Sequence, residues 1–312
     1  MVNCRRSGAL LADGLLVAGL SALAASSLPA PIHSQSVVPN FDHIVVIMME
    51  NHSFGQILGN PDAPFMNNLA ANYPVATNYF GITHPSLPNY MAPTGGDTFF
   101  TTNCSIADGD CTTPAPTIAD GIEASGRSWK AYMEDMPAPC FTGDNYPVFS
   151  RPPAYLEKHN PFIHFDNIRT NPARCSLIVP YAQLAADLDA LPNFVWITPN
   201  MCDDMHDVCT PAGDVKLGDD WLRVEVTRIQ NSASCAPPQM CLIVVTFDEG
   251  SSAFDPPEDN HVYTVFVKPG PRPPDSNVLY NHYSLLSTIE ASWGLPPLTM
   301  NDATAAPMAD MF

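Results

Sequence analysis

The chain has 312 residues, 46% of them hydrophobic, enough to bury a large core, which excludes a disordered or fibrous protein. Acids outnumber bases 32 to 13 for a formal charge of -19, and no basic run is present, so a nucleic-acid partner is not expected. An anionic substrate would have to be held by local chemistry, for which a divalent metal ion is the simplest means.

Residues 1–24 read as an export signal. Arg5 and Arg6 precede an apolar stretch from Ala9 to Ala25, and Ala22 and Ala24 suit a signal-peptidase site. A membrane anchor is the competing reading, but a span needs about 20 apolar residues and Asp13 interrupts this one. A secreted protein, extracellular or periplasmic and without stable membrane insertion, is therefore expected. Of the nine cysteines, Cys4 falls in the signal, leaving Cys104, Cys111, Cys140, Cys175, Cys202, Cys209, Cys235 and Cys241. In an exported chain these imply disulfides, with about 105 possible pairings. The close couples 104 with 111, 202 with 209 and 235 with 241 invite local bridges, which would leave Cys140 to Cys175. A zinc module would call for a CxxC pair, and the chain has none.

The first apolar run, His43 to Met49 (HIVVIMM), predicts a buried strand, and Glu50-Asn51-His52-Ser53 follows it. Next comes Thr83 to Tyr90 (THPSLPNY), where Ser86 fits a helix N-cap, with Pro88 in the first turn and Gly95-Gly96 after the end. A serine there faces the positive end of a helix, where a phosphoryl group is stabilised, although a plain cap has the same pattern. A Pro- and Cys-rich stretch around residues 98 to 175 reads as an irregular covering segment, with one helical pattern at Ile118 to Ser125. Beyond it, helical spacing at Tyr181 to Leu188 precedes a strand at Phe194 to Thr198 (FVWIT), which leads into Asn200 and Asp203-Asp204-Met205-His206-Asp207. A helix at Trp221 to Gln230 precedes a strand at Leu242 to Phe247 (LIVVTF) that ends at Asp248-Glu249. A last strand, Val262 to Val267, and a last helix, Tyr283 to Trp293, complete the pattern. Strands apolar on both faces and separated by helices predict a three-layer α/β/α sandwich with a mostly parallel central sheet, in a single domain over 36–312.

Three polar clusters thus follow three buried strands. Loops at the carboxyl ends of parallel strands converge on one crevice, the usual binding site of such a sheet. The oxygens of Glu50, Asn51, Asp248 and Glu249 suit a hard or borderline divalent ion, whose identity these residue types do not choose.

The segments FDHIVVIMMENHSF, THPSLPNY, KHNPF, ITPNMCDDMHD, GDDWL and FDEG, spread over roughly residues 41 to 295, strongly resemble the phosphoesterase family of secreted acid phosphatases and phospholipases C, a branch of the alkaline phosphatase superfamily. The resemblance implies Glu50, Asn51, Asp248 and Glu249 as metal ligands, Ser86 as a phosphorylated nucleophile and Asn89 as the holder of a phosphoryl oxygen. It matches His206 to an active-site histidine that would protonate the leaving group or stabilise charge. His84 is a further substrate-binding candidate, while His261 and His282 carry a weaker match. The Asp-Glu pair at 248–249 departs from the Asp-His or Asp-Asp of other superfamily branches, which leaves the metal and its count open.

The activity implied is metal-dependent acid phosphatase, hydrolysing phosphate monoesters through a phosphoserine, with phosphoinositide head groups among the substrates of some relatives. A phospholipase C or other phosphodiesterase could use the same groups, but no amphipathic basic helix marks membrane capture. From another class, a catalytically silent secreted protein could hold structural calcium on the same carboxylates; it would have no use for Ser86 in Ser-x-Pro-Asn. The sequence does not address the oligomeric state.

Overall fold

The apolar runs become the centre of a sheet. The computed structural model describes residues 37–148, 154–251 and 260–312, so the expected export signal and Cys4 lie outside the described residues. The main sheet consists of β1 (His43–Met49), β2 (Trp129–Met133), β3 (Ile178–Pro180), β4 (Phe194–Thr198), β5 (Cys241–Phe247) and β6 (Thr264–Val267). Their order is β3-β2-β4-β1-β5-β6, and neighbours run parallel except β5 and β6. Every residue of β4 and β5 is buried, as is all of β1 after His43. Absence of in–out alternation means that both faces are covered.

The covering helices are α1 (Pro64–Asn72), α2 (Ser86–Gly95), α3 (Ile118–Ala124), α4 (Asp214–Gln230) and α5 (His282–Trp293). α1 packs on α4, while α2 packs on α3 and α5, giving an α/β/α sandwich. α4 buries Val215, Leu222, Val226 and Ile229, a stripe at helical period, together with Asp219, which accepts the Phe65 and Met66 N–H groups, and Glu225, which pairs with Tyr181 and Arg228. α5 starts at Asn281, whose side chain accepts from the Tyr283 and Ser284 N–H groups, and stops at Gly294 in the left-handed region at φ 65°. Among the described residues no helix is long and apolar enough to cross a membrane.

Several elements depart from expectation for local reasons. Pro85 takes the cap position of α2, so Ser86 is its first helical residue, and Gly96 ends it at φ 76°. The pattern at 181–188 resolves into a 3₁₀ turn, Tyr181–Gln183, and a four-residue helix, Leu184–Asp187. α4 begins at Asp214, well before Trp221. β2 lies inside the segment read as covering; Lys130 interrupts its apolar run but is satisfied by Asp187 at 2.7 Å. β3 is a three-residue edge strand ending in Pro180, tolerable because an edge leaves one N–H without a ladder partner. The disulfides are 104–111, 140–175, 202–209 and 235–241, the pairing that the spacing suggests.

Glu290 of α5 is buried near Asp302; burial and then the Asp302 charge push its carboxyl up to about 9. An unfolded glutamate titrates near ~4.3. Between these values the folded state keeps a proton that the unfolded chain has released, so this contribution is whole below the unfolded pKa and is lost as pH rises toward 9. Tm measured across pH 5 to 9 is expected to fall, and Glu290→Gln is expected to flatten the fall.

Candidate active site

Sheet register brings the first acids together. Met49 and Phe247 are in-register partners at the ends of β1 and β5, so Glu50 and Asp248 leave the sheet side by side. The Asp248 N–H donates to the Met49 carbonyl at 3.0 Å, and the Glu50 N–H to the Asp204 carbonyl at 2.8 Å. Asn51 adopts φ 56°, and its N–H donates to Asp248 Oδ1 at 3.1 Å. Asn51 is thus engaged through its backbone.

Ser86 enters from α2 and is almost wholly buried. Its Oγ donates to Glu50 Oε2 at 3.2 Å and lies 3.5 Å from Glu249 Oε1. The amide of Asn89, one turn along, accepts from the Ile82 and Thr83 N–H groups through Oδ1. Its Nδ2 donates to the Thr83 carbonyl and, at 3.1 Å, to Glu249 Oε2. The Asn89 side chain thus holds the loop before Ser86 and touches Glu249. His84 Nδ1 sits 3.0 Å from Glu249 Oε2.

His159 joins the cluster, although the sequence reading gives it no role. It comes from the 3₁₀ turn Glu157–His159, with Nε2 3.1 Å from Glu50 Oε1 and Nδ1 3.6 Å from Asp204 Oδ2, and its ring stacks on Tyr90. Its signal was the KHNPF segment, whose resemblance named no role for the histidine. His206 follows Asp204, whose Oδ1 accepts the His206 N–H, and Nδ1 of His206 faces Asp207 at 3.1 Å. Ligand atoms of Glu50, His159 and His206 all lie within 4.8 Å of one another.

These acids are held under electrostatic stress. Burial, and behind it the charge of neighbouring acids, pushes Glu50, Asp204 and Asp248 well above the usual carboxylate range. Glu50 Oε1, Asp204 Oδ2 and Asp248 Oδ2 are buried with no hydrogen-bond partner among the described residues. Unpaired buried carboxyls are costly unless they meet a cation. The orphaned oxygens together with two imidazoles fit a divalent ion, which would return the acids to their ionised form. Burial also lowers His206, leaving a neutral ring with a nitrogen lone pair.

Behind the acids stands a polar brace. The Asp248 carbonyl can only accept, so His282 Nε2, 2.6 Å away, carries the proton, and Nδ1 accepts from the Tyr79 hydroxyl at 3.0 Å. Burial takes this ring down to about 4, which keeps it neutral. His261 is stacked between Phe54 and Phe80, a packing role. Beyond the acids a cleft of 430 Å³ opens, lined in part by Asn51, His206 and Glu249.

The layered sheet with this cluster at its carboxyl edge has the fold of the alkaline phosphatase superfamily. The chain superimposes on a protein of that superfamily from Vibrio parahaemolyticus with a TM-score of 0.60 at 16% identity, covering 86% of this chain and 71% of that one. A putative sulfatase from Bacteroides thetaiotaomicron gives a TM-score of 0.56 at 13% identity, over 87% of this chain and 74% of that one. Residues 59–296 match the Phosphoesterase family, and the chain belongs to that family. It is 33% identical to a phosphatidylinositol-3-phosphatase of Mycobacterium tuberculosis, over 97% of this chain and 94% of the relative. It is 32% identical to a phosphate-repressible acid phosphatase of Penicillium chrysogenum, over 92% of this chain and 68% of the relative.

Gly81 lies against this brace. A Cβ there would come within 2.7 Å of the Asp248 carbonyl oxygen and of Asn260 Nδ2. Gly81→Ala should therefore displace the β5 acid, costing about 1–3 kcal/mol of stability and lowering kcat beyond what the folded fraction explains. Tm and kcat measured together check this, and unchanged values for both would contradict the close approach.

Proposed function

We propose that the chain is a secreted, metal-dependent phosphoric monoester hydrolase of acid phosphatase type, working through a phosphoserine at Ser86, with residues 36–312 as its catalytic domain. The observation that carries the reading is the Ser86 hydroxyl at the start of α2, held between the carboxylates of Glu50 and Glu249. Family membership and the phosphatase names of its relatives support the same class. Four disulfides suit an extracellular or periplasmic location.

Ser86 Oγ attacks phosphorus as its proton passes to Glu50 or Glu249, and the bond from phosphorus to the ester oxygen breaks in line. His206 has two candidate tasks, metal ligation and protonation of the leaving group. Its closeness to Glu50 and His159 favours ligation, and the departing alcohol then draws its proton from water in the cleft. Water next attacks the phosphoserine and gives up its proton to the hydroxide left in the cleft, the bond from phosphorus to Ser86 Oγ breaks, Ser86 Oγ recovers a proton from the carboxyl that took it, and phosphate departs. Asn89 and His84 keep Glu249 aimed at the hydroxyl. A divalent cation held by Glu50, Asp248 and Glu249, with His159 and His206 as nitrogen ligands, would supply Lewis-acid stabilisation of phosphoryl charge and acidify the Ser86 hydroxyl.

Turnover of p-nitrophenyl phosphate, set against bis-p-nitrophenyl phosphate and repeated after chelation, tests this reading. Ser86→Ala should retain bound metal yet lose turnover by about 10³-fold or more, because members of a catalytic unit fail together. Asp248→Ala should lose the metal itself, read by elemental analysis of the purified protein. Near-normal turnover by Ser86→Ala would remove the covalent step and leave direct attack of water as the better account. A preference for the diester would turn the reading to a phosphodiesterase.

A further inference from the structure

The cleft beyond the acids does not end at the reacting centre. It shares His52, Gln56 and Asp214 with a second hollow of 470 Å³ that reaches Asn60. Glu249, whose Oε1 lies 3.5 Å from Ser86 Oγ, and His206 line the first hollow, so it opens beside the reacting centre. The two hollows are large enough for a small organic group.

Their walls have a distinct chemistry. Asn51, Gln56 and Asn60 line them with amides; Gln56 Oε1 accepts the Ser53 N–H, and Asn60 donates to the Gln56 carbonyl and accepts the Asp62 N–H, which fixes these two amides in place and leaves the Gln56 amide hydrogens to face the hollows. Neither hollow has a lysine or arginine among its described lining residues. The fixed charge shared by both is Asp214, at the start of α4. Its Oδ1 accepts the Val215 N–H at 2.8 Å, its Oδ2 lies 3.8 Å from His52 Nε2, and its side chain is 28% exposed. The lysine on the same turn, Lys216, is paired with Asp220. Charges partly shielded from water act over several ångströms, so a second anion on the leaving group would meet the Asp214 carboxylate with no lysine or arginine among the described lining residues to offset it.

Resting on the monoesterase reading above, we propose that this double cleft is a leaving-group subsite for uncharged, hydroxyl-rich alcohols, and that Asp214 is its specificity residue, turning away leaving groups that carry an additional negative charge.

Matched substrate pairs test it on the mature chain: glucose 6-phosphate against 6-phosphogluconate, and glycerol 3-phosphate against 3-phosphoglycerate. In each pair the second member has the same carbon skeleton with one terminal carbon oxidised to a carboxylate; the first pair also changes from ring to open chain, so the glycerol pair is the closer match. The neutral member is expected to have the higher kcat/KM by about 5- to 30-fold, which is ~1–2 kcal/mol at 1.4 kcal/mol per decade. Asp214→Asn should shrink both ratios by about fivefold or more, and Asp214→Lys should bring them to unity or invert them; a ratio is unaffected by a general loss of activity. Ratios near one in the unmodified protein, or unchanged in both variants, would overturn the subsite while p-nitrophenyl phosphate is still hydrolysed. Failure to hydrolyse p-nitrophenyl phosphate as well would sink the monoesterase reading beneath it.

Discussion

The rest of the site depends on the crowding of carboxyls at the carboxyl ends of β1 and β5. In-register pairing fixes Glu50 and Asp248 beside each other, and Asp204 and Glu249 close in from adjoining loops. All four are buried. Among the described residues no lysine or arginine hydrogen-bonds into the cluster, and burial drives Glu50, Asp204 and Asp248 toward the protonated form. A sheet that needed these positions only for stability would fill them with apolar side chains, because swapping buried charge for packed hydrophobics is often neutral or favourable. Their cost makes sense where a cation and a phosphoryl group offset it.

That cost also explains how much of the surrounding chain is spent on holding loops still. The Cys202–Cys209 bridge encloses Asp203 to Asp207. The same loop settles on α4 at Gly218, where a Cβ would come within 2.9 Å of the Asp203 carbonyl oxygen and would strike Met205. On the other side, Glu157 accepts the Ile106 N–H at 2.7 Å, tying the loop of the Cys104–Cys111 bridge to the turn that carries His159. Each bridge closes a short loop, for which the chain-entropy gain is about 2–4 kcal/mol. Rigid loops matter because a reacting group displaced by 1 Å can cost about 10²-fold in rate.

What the sequence made legible follows from how strongly each position is constrained. β1, β4 and β5 are apolar on both faces, a pattern that few alternatives share, and the acids just after them stand out against it. β2 carries Lys130 and β3 has three residues, so neither shows a periodicity long enough to read. Glu50, Asp248, Glu249 and Ser86 were legible because strand ends and a helix start mark them. His159 was not, since a 3₁₀ turn in an irregular segment has no pattern of its own and its approach to Glu50 is a long-range contact. Asp204 was visible only as one acid among several in its loop. Asn89 was picked out by its motif, but its contact with Glu249 depends on backbone partners that only the folded loop supplies.

A chain of charge -19 that handles phosphate esters must bring a dianion toward a negative surface. Long-range attraction cannot help, because the net field slows the approach of anions instead of steering them inward. At physiological salt that field fades over a Debye length of about 8 Å, so short-range groups decide whether an ester binds. Lys158, next to His159, is the basic residue whose charge bears on Glu50 and Asp204 together. The basic charge that bears on the acids thus sits beside the cluster, while the cleft beyond it keeps an acid at Asp214. Such a layout separates two problems that a generally basic pocket would merge. On the proposed reading, local charge recognises the phosphoryl group and the amide-lined cleft the alcohol attached to it.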